Sequence, residues 1–325
     1  MGGIDTVRRC YDVVASGGVI TDAEARDLLN VPDDALPALL DAAGRLTRAM
    51  RGPEVDVEQL HNIKKNACSE DCSFCAQSAF FDTGIETYRL PPAEEIIEGA
   101  KEARAGGADS YCLVAAWREP PPADFESVCG IVRRIRSETG MEVECSLGFL
   151  TARQAGALKR AGARRYNHNL ETAPSKFSQI CTTHTFADRV ETLKRARGAG
   201  LELCTGGIIG LGETRAQRLE LALEIRRIRP EEVTINILVP VPGTPLELQV
   251  PLPPGEISRM FALMRFLLPR SIVKISGGRE TATDDAGEAL LGGGADGIIT
   301  NGYLTMPGNA PGRDSEIIRR ARLEA

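Results

Sequence analysis

The chain has 325 residues, of which 42% are hydrophobic and 26% are charged, and its formal net charge is −6. Such a composition allows a large buried core, and the acidic balance argues against a nucleic-acid partner, which would need a basic surface. No run of about 18 apolar residues occurs, so we expect no membrane-spanning helix and no membrane partner. Nine cysteines without an apolar signal sequence predict a reducing, cytoplasmic location, where thiols serve as ligands or core residues.

The first 58 residues have the pattern of helices. Residues 21–30 begin with Thr21, a favourable N-cap, followed by an acidic first turn and two leucines. A second amphipathic segment follows at residues 33–50. Because this region is too short for a sizeable core of its own, we expect residues 1–58 to be an extension of one catalytic domain at residues 59–325.

From residue 59 onward, short apolar strands alternate with helices that carry charges on one face. Strands are predicted near residues 59–66, 108–115, 142–147, 164–169, 201–208, 232–238, 271–276 and 296–300. Helices are predicted near residues 92–105, 124–138, 151–161, 186–198, 214–228, 255–267 and 281–292. Eight βα units predict an α/β fold, a closed (β/α)8 TIM-type barrel with an N-terminal helical extension; an open doubly wound sheet is the alternative.

Polar residues occur in the predicted strands where a buried strand would normally be apolar. They are Cys112, Cys145, Asn169, Cys204, Asn236 and Lys274, on strands 2 to 7 in that order. Because barrel enzymes build their sites at the C-terminal mouth, we expect these side chains to point into one cavity there.

The most informative motif is the loop Cys68-x3-Cys72-x2-Cys75. Three thiolates can hold three irons of a four-iron cube and leave the fourth iron open to a small molecule. Zinc is the alternative, but the sequence has no second C-x2-C and no closely spaced histidine pair. We therefore favour an iron–sulfur cluster on this loop.

The remaining cysteines allow two interpretations. Cys112, Cys145 and Cys204 could hold a second, deeper iron–sulfur cluster, or they could be small core residues. Cys10 and Cys129 lie in helical patterns and are expected to pack in the core. Cys181 follows the polar segment 166–172 and could serve the second cluster.

Two further segments predict contacts with a ligand. In residues 166–172, Asn167, Asn169 and Glu171 alternate and share one face, on which they could bind hydroxyls or a urea-like group, whereas His168 is expected on the other face. An ordinary strand end is the alternative. In residues 206–213, glycines after a strand permit close backbone approach, but the spacing is not a dinucleotide-binding fingerprint.

Together these segments resemble the biotin synthase family of radical S-adenosylmethionine enzymes. The resemblance extends from about residue 10 to the end and is most specific at residues 166–172 and 182–214. It implies that Cys68, Cys72 and Cys75 are catalytic and hold a [4Fe-4S] cluster, to which S-adenosylmethionine binds. It also implies an auxiliary cluster, [2Fe-2S] in the best-known members, on Cys112, Cys145 and Cys204.

The resemblance also implies roles for the other site residues. S-adenosylmethionine would contact Asn169, Glu171, Gly207 and Glu213, and dethiobiotin would contact Asn169 and Asn236. The implied reaction inserts sulfur into dethiobiotin to give biotin, the last step of biotin biosynthesis. A homodimer and an electron donor such as flavodoxin or ferredoxin are implied as partners.

Two departures from the family pattern fall on the auxiliary site. Lys274 stands where the family usually has an arginine ligand, and Ser110 stands where it usually has another arginine. We expect a variant auxiliary cluster, with a neutral Lys274 amine or another ligand set. The alternatives are a radical enzyme of the same architecture with another substrate, such as a mutase or lyase, and a non-catalytic iron–sulfur carrier.

Overall fold

The N-terminal region is helical, as predicted. The structure, a computed structural model, describes residues 2–310 and 312–323. Three helices, α1 (Gly3–Ala15), α2 (Asp22–Leu29) and α3 (Leu36–Arg51), precede the first strand, with a short 3-10 turn at Asp33–Ala35. Thr21 caps α2, since its hydroxyl accepts from the Glu24 N–H and the Glu24 carboxylate accepts from the Thr21 N–H.

Eight parallel strands form a closed barrel in sequence order, with β8 paired to β1. The predicted barrel is therefore confirmed, and the open doubly wound sheet is excluded. The strands are β1 (Asp56–Lys64), β2 (Ser110–Ala115), β3 (Glu142–Ser146), β4 (Arg165–Asn167), β5 (Glu202–Ile209), β6 (Glu232–Ile237), β7 (Ile272–Ile275) and β8 (Gly297–Thr300).

Helices cover the outside of the barrel. They are α4 (Ala93–Ala105), α5 (Pro122–Thr139), α6 (Ala152–Ala161), α7 (Pro174–Ile180), α8 (Phe186–Gly198), α9 (Arg215–Ile228), α10 (Pro254–Leu267), α11 (Arg279–Ala282), α12 (Glu288–Gly292) and α13 (Arg313–Leu323). Helices α7 and α13 were not predicted from the sequence. The helix predicted at residues 281–292 is instead two short helices, separated by a segment that includes Gly287 at φ +90°. In the described part of the chain, no helix is both long and apolar enough to span a bilayer.

The N-terminal helices are joined to the barrel by two ion pairs, each with one buried partner, Arg259 or Asp296. Arg259, on α10, donates to the Val31 carbonyl at 2.6 Å and pairs with Asp33 at 2.6 Å. Arg51, at the end of α3, pairs with Asp296 at 2.7 Å, just before β8. The extension is therefore packed against the barrel, and β1 begins at Asp56, slightly before the boundary predicted at residue 58.

Alternation along the strands decides which side chains enter the barrel. Register pairs Cys112 with Glu144 and Cys204 with Glu232, and these four side chains share the interior face.

At the β5–β6 contact, a Cβ on Gly206 would lie 1.8 Å from the Thr234 carbonyl oxygen, so only glycine fits there.

Candidate active site

A cavity of about 410 Å³ lies at the C-terminal mouth of the barrel. The three-cysteine loop lines its upper part, and Cys112 and Cys204 lie in its lining on β2 and β5. Asn169, Glu171 and Asn236 also line it, as the sequence predicted. Most of the polar residues that interrupt the strands therefore do converge on one space.

Backbone hydrogen bonds shape the three-cysteine loop. The Cys68 N–H donates to the Gln77 carbonyl at 2.9 Å, and the Cys75 N–H donates to the Cys72 carbonyl at 2.9 Å. Asn66 and Ala67 enter the loop at positive φ, and the Gln77 side chain accepts from the Asn66 N–H. Burial raises the pKa of Cys75 to about 11, so without a metal this thiol stays protonated.

Two acidic residues inside the loop fasten it to the segment that follows α7. Asp71 accepts from the backbone N–H groups of Thr182 at 2.9 Å and Thr183 at 3.1 Å. Burial alone would raise the pKa of Asp71, but hydrogen bonds from Thr182 hold it well below its usual range. Glu70 accepts from Arg118 at 2.5 Å and also contacts His184. The loop geometry therefore depends on residues more than 100 positions later in the chain.

A fourth cysteine, Cys181, lies beside the loop, and no spacing in the sequence predicts this. The Cys181 sulfur is 3.8 Å from the Cys72 sulfur and 3.2 Å from His184 Nδ1. The sequence allowed Cys181 as a ligand of the second cluster, but the structure places it beside the three-cysteine loop. The hydrogen bond between the two thiols raises the pKa of Cys72 and lowers that of Cys181.

Arg189, on α8, connects the loop to the polar segment after β4. Its guanidinium donates to the Asn169 carbonyl at 2.9 Å, pairs with Glu171 at 3.1 Å and lies 3.9 Å from the Cys72 sulfur. Burial raises the pKa of Glu171, and the positive charge of Arg189 offsets part of this increase. No motif in the sequence marks Arg189, because it lies on an otherwise ordinary charged helix.

Gly207 affects the site through close backbone packing and not through a side chain. Glu171 adopts a φ of +68°, and its carbonyl accepts from the Ile208 N–H at 2.8 Å. A Cβ on Gly207 would lie 2.6 Å from that carbonyl oxygen. Gly207 thus allows the Glu171 segment to lie against β5, but it is not among the residues that line the cavity.

Glu213 and His168 differ from their predicted placement. The Glu213 side chain is buried, pairs with Arg218 at 3.0 Å and accepts from the Gly210 N–H at 3.0 Å, and it does not line the cavity. The structure gives no support for its predicted contact with a cofactor. His168 does line the cavity, although the alternation predicted otherwise, and it packs edge-to-face against Phe149.

Cys112 and Cys204 are each only 1% exposed. The Asn167 amide lies 3.5 Å from the Cys112 sulfur and 3.4 Å from Glu58, and the Cys204 sulfur lies 2.9 Å from the Thr234 hydroxyl. Burial raises the pKa of both thiols well above the usual value. Each would therefore need a metal ion to ionise.

Cys145 does not share this space, so the prediction that it points into the cavity is wrong. Its side chain packs in the apolar layer between the barrel and the helices, where burial raises the pKa of the thiol. Glu144 occupies the interior position on β3 instead. It is fully buried and accepts from Arg165 at 2.5 Å, and burial raises its pKa to about 8.

Lys274 is also fully buried, but it is fully paired. Its ammonium lies 2.8 Å from Asp56, 2.8 Å from Glu58 and 2.9 Å from Glu232. Burial alone would lower the pKa of Lys274, but these carboxylates raise it well above its usual value. The expectation of a neutral amine that ligates iron is therefore not supported, because a protonated amine has no free electron pair.

The chain is similar over its full length to proteins named biotin synthase. It is 62% identical to the one from Nitrosopumilus maritimus, covering 100% of both chains, and 61% identical to the one from Cenarchaeum symbiosum, covering 98% and 99%. Residues 62–225 match the radical SAM superfamily, and residues 234–324 match the biotin and thiamin synthesis associated domain. The chain belongs to the biotin synthase family.

Solved structures of other radical enzymes have the same fold. Methylornithine synthase superposes with a TM-score of 0.82 at 20% identity, covering 97% of this chain and 96% of that one. The FeFe-hydrogenase maturase HydG from Carboxydothermus hydrogenoformans gives 0.82 at 17% identity, covering 97% and 78%. At these identities the likeness supports the barrel fold alone.

Membership makes this chain an enzyme of the radical S-adenosylmethionine type. The biotin synthase family uses a [4Fe-4S] cluster, S-adenosylmethionine and an auxiliary [2Fe-2S] cluster. The three-cysteine loop fits the first cluster, since three thiols line one side of an open cavity. The auxiliary site fits less well: only two thiols face it, and Lys274 is committed to three carboxylates.

Proposed function

We propose that this chain converts dethiobiotin to biotin by radical sulfur insertion, as a sulfurtransferase. The observation that carries the proposal is a single cavity that contains the three-cysteine loop, the Asn169 and Asn236 side chains and the deep thiols of Cys112 and Cys204. The family relatives that share its full length support the same reaction.

Cys68, Cys72 and Cys75 would hold the [4Fe-4S] cluster. When bound, this cluster supplies the electron that cleaves S-adenosylmethionine to a 5′-deoxyadenosyl radical. Asp71 and Glu70 hold the loop in place for it through Thr182, Thr183 and Arg118. The loop is therefore organised before a ligand arrives, which favours precise positioning of the reacting groups.

Asn169 and Glu171 would bind the ribose of S-adenosylmethionine. Arg189 fixes their segment because it pairs with the Glu171 carboxylate and donates to the Asn169 carbonyl. Gly207 contributes indirectly by allowing this segment to pack on β5. For Glu213 we propose only a structural role, through Arg218.

The cavity also suits a urea-like group. Asn236 accepts from the Gly277 N–H at 3.2 Å through its side-chain oxygen, and this contact fixes the orientation of the amide. With that oxygen engaged, the amide nitrogen is a donor for the carbonyl of the ureido ring. Asn169 would supply a second polar contact. Apolar lining residues such as Val114, Phe149 and Ile299 would help to exclude water from the radical.

A homodimer, an electron donor such as flavodoxin or ferredoxin and a cytoplasmic location complete the proposal. The support for the dimer and the donor is the family resemblance. Arg118 provides one partly exposed positive charge beside the three-cysteine loop, where an acidic donor would approach. The free thiols of the chain suit a reducing compartment.

The test is an anaerobic incubation of the reconstituted enzyme with S-adenosylmethionine, a reductant and dethiobiotin, followed by mass spectrometry. We expect both 5′-deoxyadenosine and biotin, and loss of biotin in a Cys204→Ala variant. Formation of 5′-deoxyadenosine that dethiobiotin does not stimulate, without biotin, would contradict the proposed substrate and favour another radical reaction.

A further inference from the structure

The deep thiols lie in a layer of charged residues at the base of the cavity. Cys112 stands beside Glu144 in the β2–β3 register, and Cys204 stands beside Glu232 in the β5–β6 register. Glu58, Glu144 and Glu232 bring their carboxylate oxygens within 4.8 Å of one another. This arrangement places two soft ligands and several hard ligands around one buried space.

Cysteine supplies only two ligands to this space. Cys145, the third thiol expected there, lies on the helix-facing side of β3. Among the described residues that line the cavity, Cys112 and Cys204 are the two thiols outside the three-cysteine loop. A cluster with three thiolate ligands therefore cannot form here without turning β3 over, since a one-residue slip moves every side chain of a strand to the other face.

Glu144 takes the interior position on β3, and one of its oxygens is unused. Its Oε1 accepts from Arg165 at 2.5 Å, whereas its Oε2 is buried and has no hydrogen-bond partner among the described residues. The carboxylate is 0% exposed, so water from the bulk solvent does not reach it. A buried oxygen without a partner is costly in a protein, and this oxygen is therefore available as a ligand atom.

Two more polar atoms beside Cys112 are also without partners in the described chain. They are Ser110 Oγ, on the same face of β2, and Asn167 Oδ1, whose amide nitrogen contacts the Cys112 sulfur. With Glu144 Oε2, they give three unpartnered polar atoms on β2, β3 and β4, three consecutive strands of the barrel. Such atoms could contact a ligand held next to these strands.

The charge of the layer suits a cationic group. Asp56, Glu58, Glu144 and Glu232 give four acidic groups, and Lys274 and Arg165 give two basic ones. Lys274 is paired with three of the acidic groups, and Arg165 bridges Glu144 and Glu232 at 2.5 and 2.6 Å. The excess of acidic groups leaves room for positive charge next to Cys112 and Cys204.

We propose that the auxiliary site of this chain holds an iron–sulfur group on two thiolates, Cys112 and Cys204, with the Glu144 carboxylate as the third protein ligand. Lys274 does not ligate iron and instead holds Glu58 and Glu232 in place. This proposal rests on the proposed function only for the class of cofactor. The ligand set itself follows from the strand register, the unused Glu144 oxygen and the ion pairs of Lys274.

The test removes the first cluster and examines the second alone. A Cys68/Cys72/Cys75→Ala variant is reconstituted anaerobically with ferrous iron and sulfide, and bound iron, bound sulfide and the Mössbauer spectrum are measured. We expect iron and sulfide to bind. Adding Cys112→Ala or Cys204→Ala should abolish binding, and adding Glu144→Gln should lower bound iron at least twofold and change the spectrum.

Cys145→Ala is the matched control, because it removes a thiol from the adjacent position on the same strand. It should leave bound iron and the spectrum unchanged. Loss of the second cluster in Cys145→Ala, an unchanged spectrum in Glu144→Gln, or no iron in the starting variant would each overturn the proposal.

Two further measurements separate the possible failures. Circular dichroism checks that each variant is folded, and Glu144→Cys serves if Glu144→Gln does not fold; it should bind iron with a spectrum of greater thiolate character. Biotin formation by the enzyme with all its cysteines is measured separately. If biotin forms while Glu144→Gln leaves the second cluster unchanged, the ligand set is wrong and the proposed reaction stands.

Discussion

The sulfur of Cys181 lies 3.8 Å from the sulfur of Cys72, although 109 residues separate them in the chain. Cys72 belongs to the three-cysteine loop, and Cys181 ends the short helix α7 as its C-cap. The two thiols are held together by contacts of Asp71 with Thr182 and Thr183. When no cluster is bound, the two thiols are therefore close enough to react with each other.

We expect Cys72 and Cys181 to form a disulfide when cluster-free protein is exposed to air, because their thiols are already in contact. Mass spectrometry after alkylation should find both thiols blocked in the wild type and Cys72 free in a Cys181→Ser variant. Cys129→Ser, on the far side of the barrel wall, should behave like the wild type. Persistence of a free Cys72 thiol in the air-exposed wild type would rule the disulfide out.

Lys274→Met should destabilise the fold by about 3–5 kcal/mol, because it leaves the carboxylates of Asp56, Glu58 and Glu232 buried without their shared cation. Chemical denaturation of the cluster-free protein would measure the change. Lys101→Met removes a charge from an exposed pair with Glu98 and should change stability by less than about 0.5 kcal/mol. Equal effects of the two substitutions would show that the buried pairs contribute little.

Gly206→Ala should disrupt the β5–β6 contact, since the new Cβ would meet the backbone oxygen of Thr234. We expect a loss of at least about 3 kcal/mol, or no folded protein. Gly198→Ala, in α8, meets no atom within 4 Å and should stabilise the protein by about 0.5–1 kcal/mol. Thermal unfolding of both variants provides the comparison, and a mild effect of Gly206→Ala would mean that the two strands can separate.

Stability should fall as the pH falls below about 6.5, because burial lowers the pKa values of His61 and His168 in the folded chain. In this range the unfolded chain binds protons that the folded chain does not, so each histidine can contribute a slope of at most about 1.4 kcal/mol per pH unit. His61 Nδ1 lies 2.5 Å from the Tyr111 hydroxyl, and burial of the ring disfavours the charged imidazolium.

A His61→Gln variant tests this pH dependence. It keeps a polar partner for Tyr111 but cannot titrate, so its free energy of unfolding should decline less between pH 7.5 and 5.5 than that of the wild type. Urea denaturation at several pH values gives both curves. Parallel curves would mean that His61 does not contribute.

The barrel could be predicted from the sequence because apolar strands and amphipathic helices alternate eight times, and this pattern is local. The face of Cys145 could not be fixed in the same way. Val143 and Cys145 share one face of β3. Two apolar side chains on one face indicate the side that packs against the helices, but this assignment places Glu144 inside the barrel. A buried glutamate becomes reasonable only once Arg165, from the next strand, is known to pair with it.

Long-range contacts explain the other differences between prediction and structure. Cys181 and Arg189 lie far from the three-cysteine loop in sequence, and no spacing rule connects the two regions. Lys274 looked like a replacement ligand because its three carboxylate partners come from β1 and β6, which the sequence does not show as its neighbours.

Asp296 receives Arg51 from the helical extension at 2.7 Å and Arg265 from α10 at 2.5 Å. Its backbone carbonyl also accepts from the Asp56 N–H, at the first residue of β1. In a fragment that began at β1, Asp296 would lose its ion pair with Arg51. Arg259 would lose its hydrogen bond to the Val31 carbonyl and its ion pair with Asp33. The extension and the barrel therefore form one cooperative unit, and the chain should unfold in a single transition instead of shedding its N-terminal helices first.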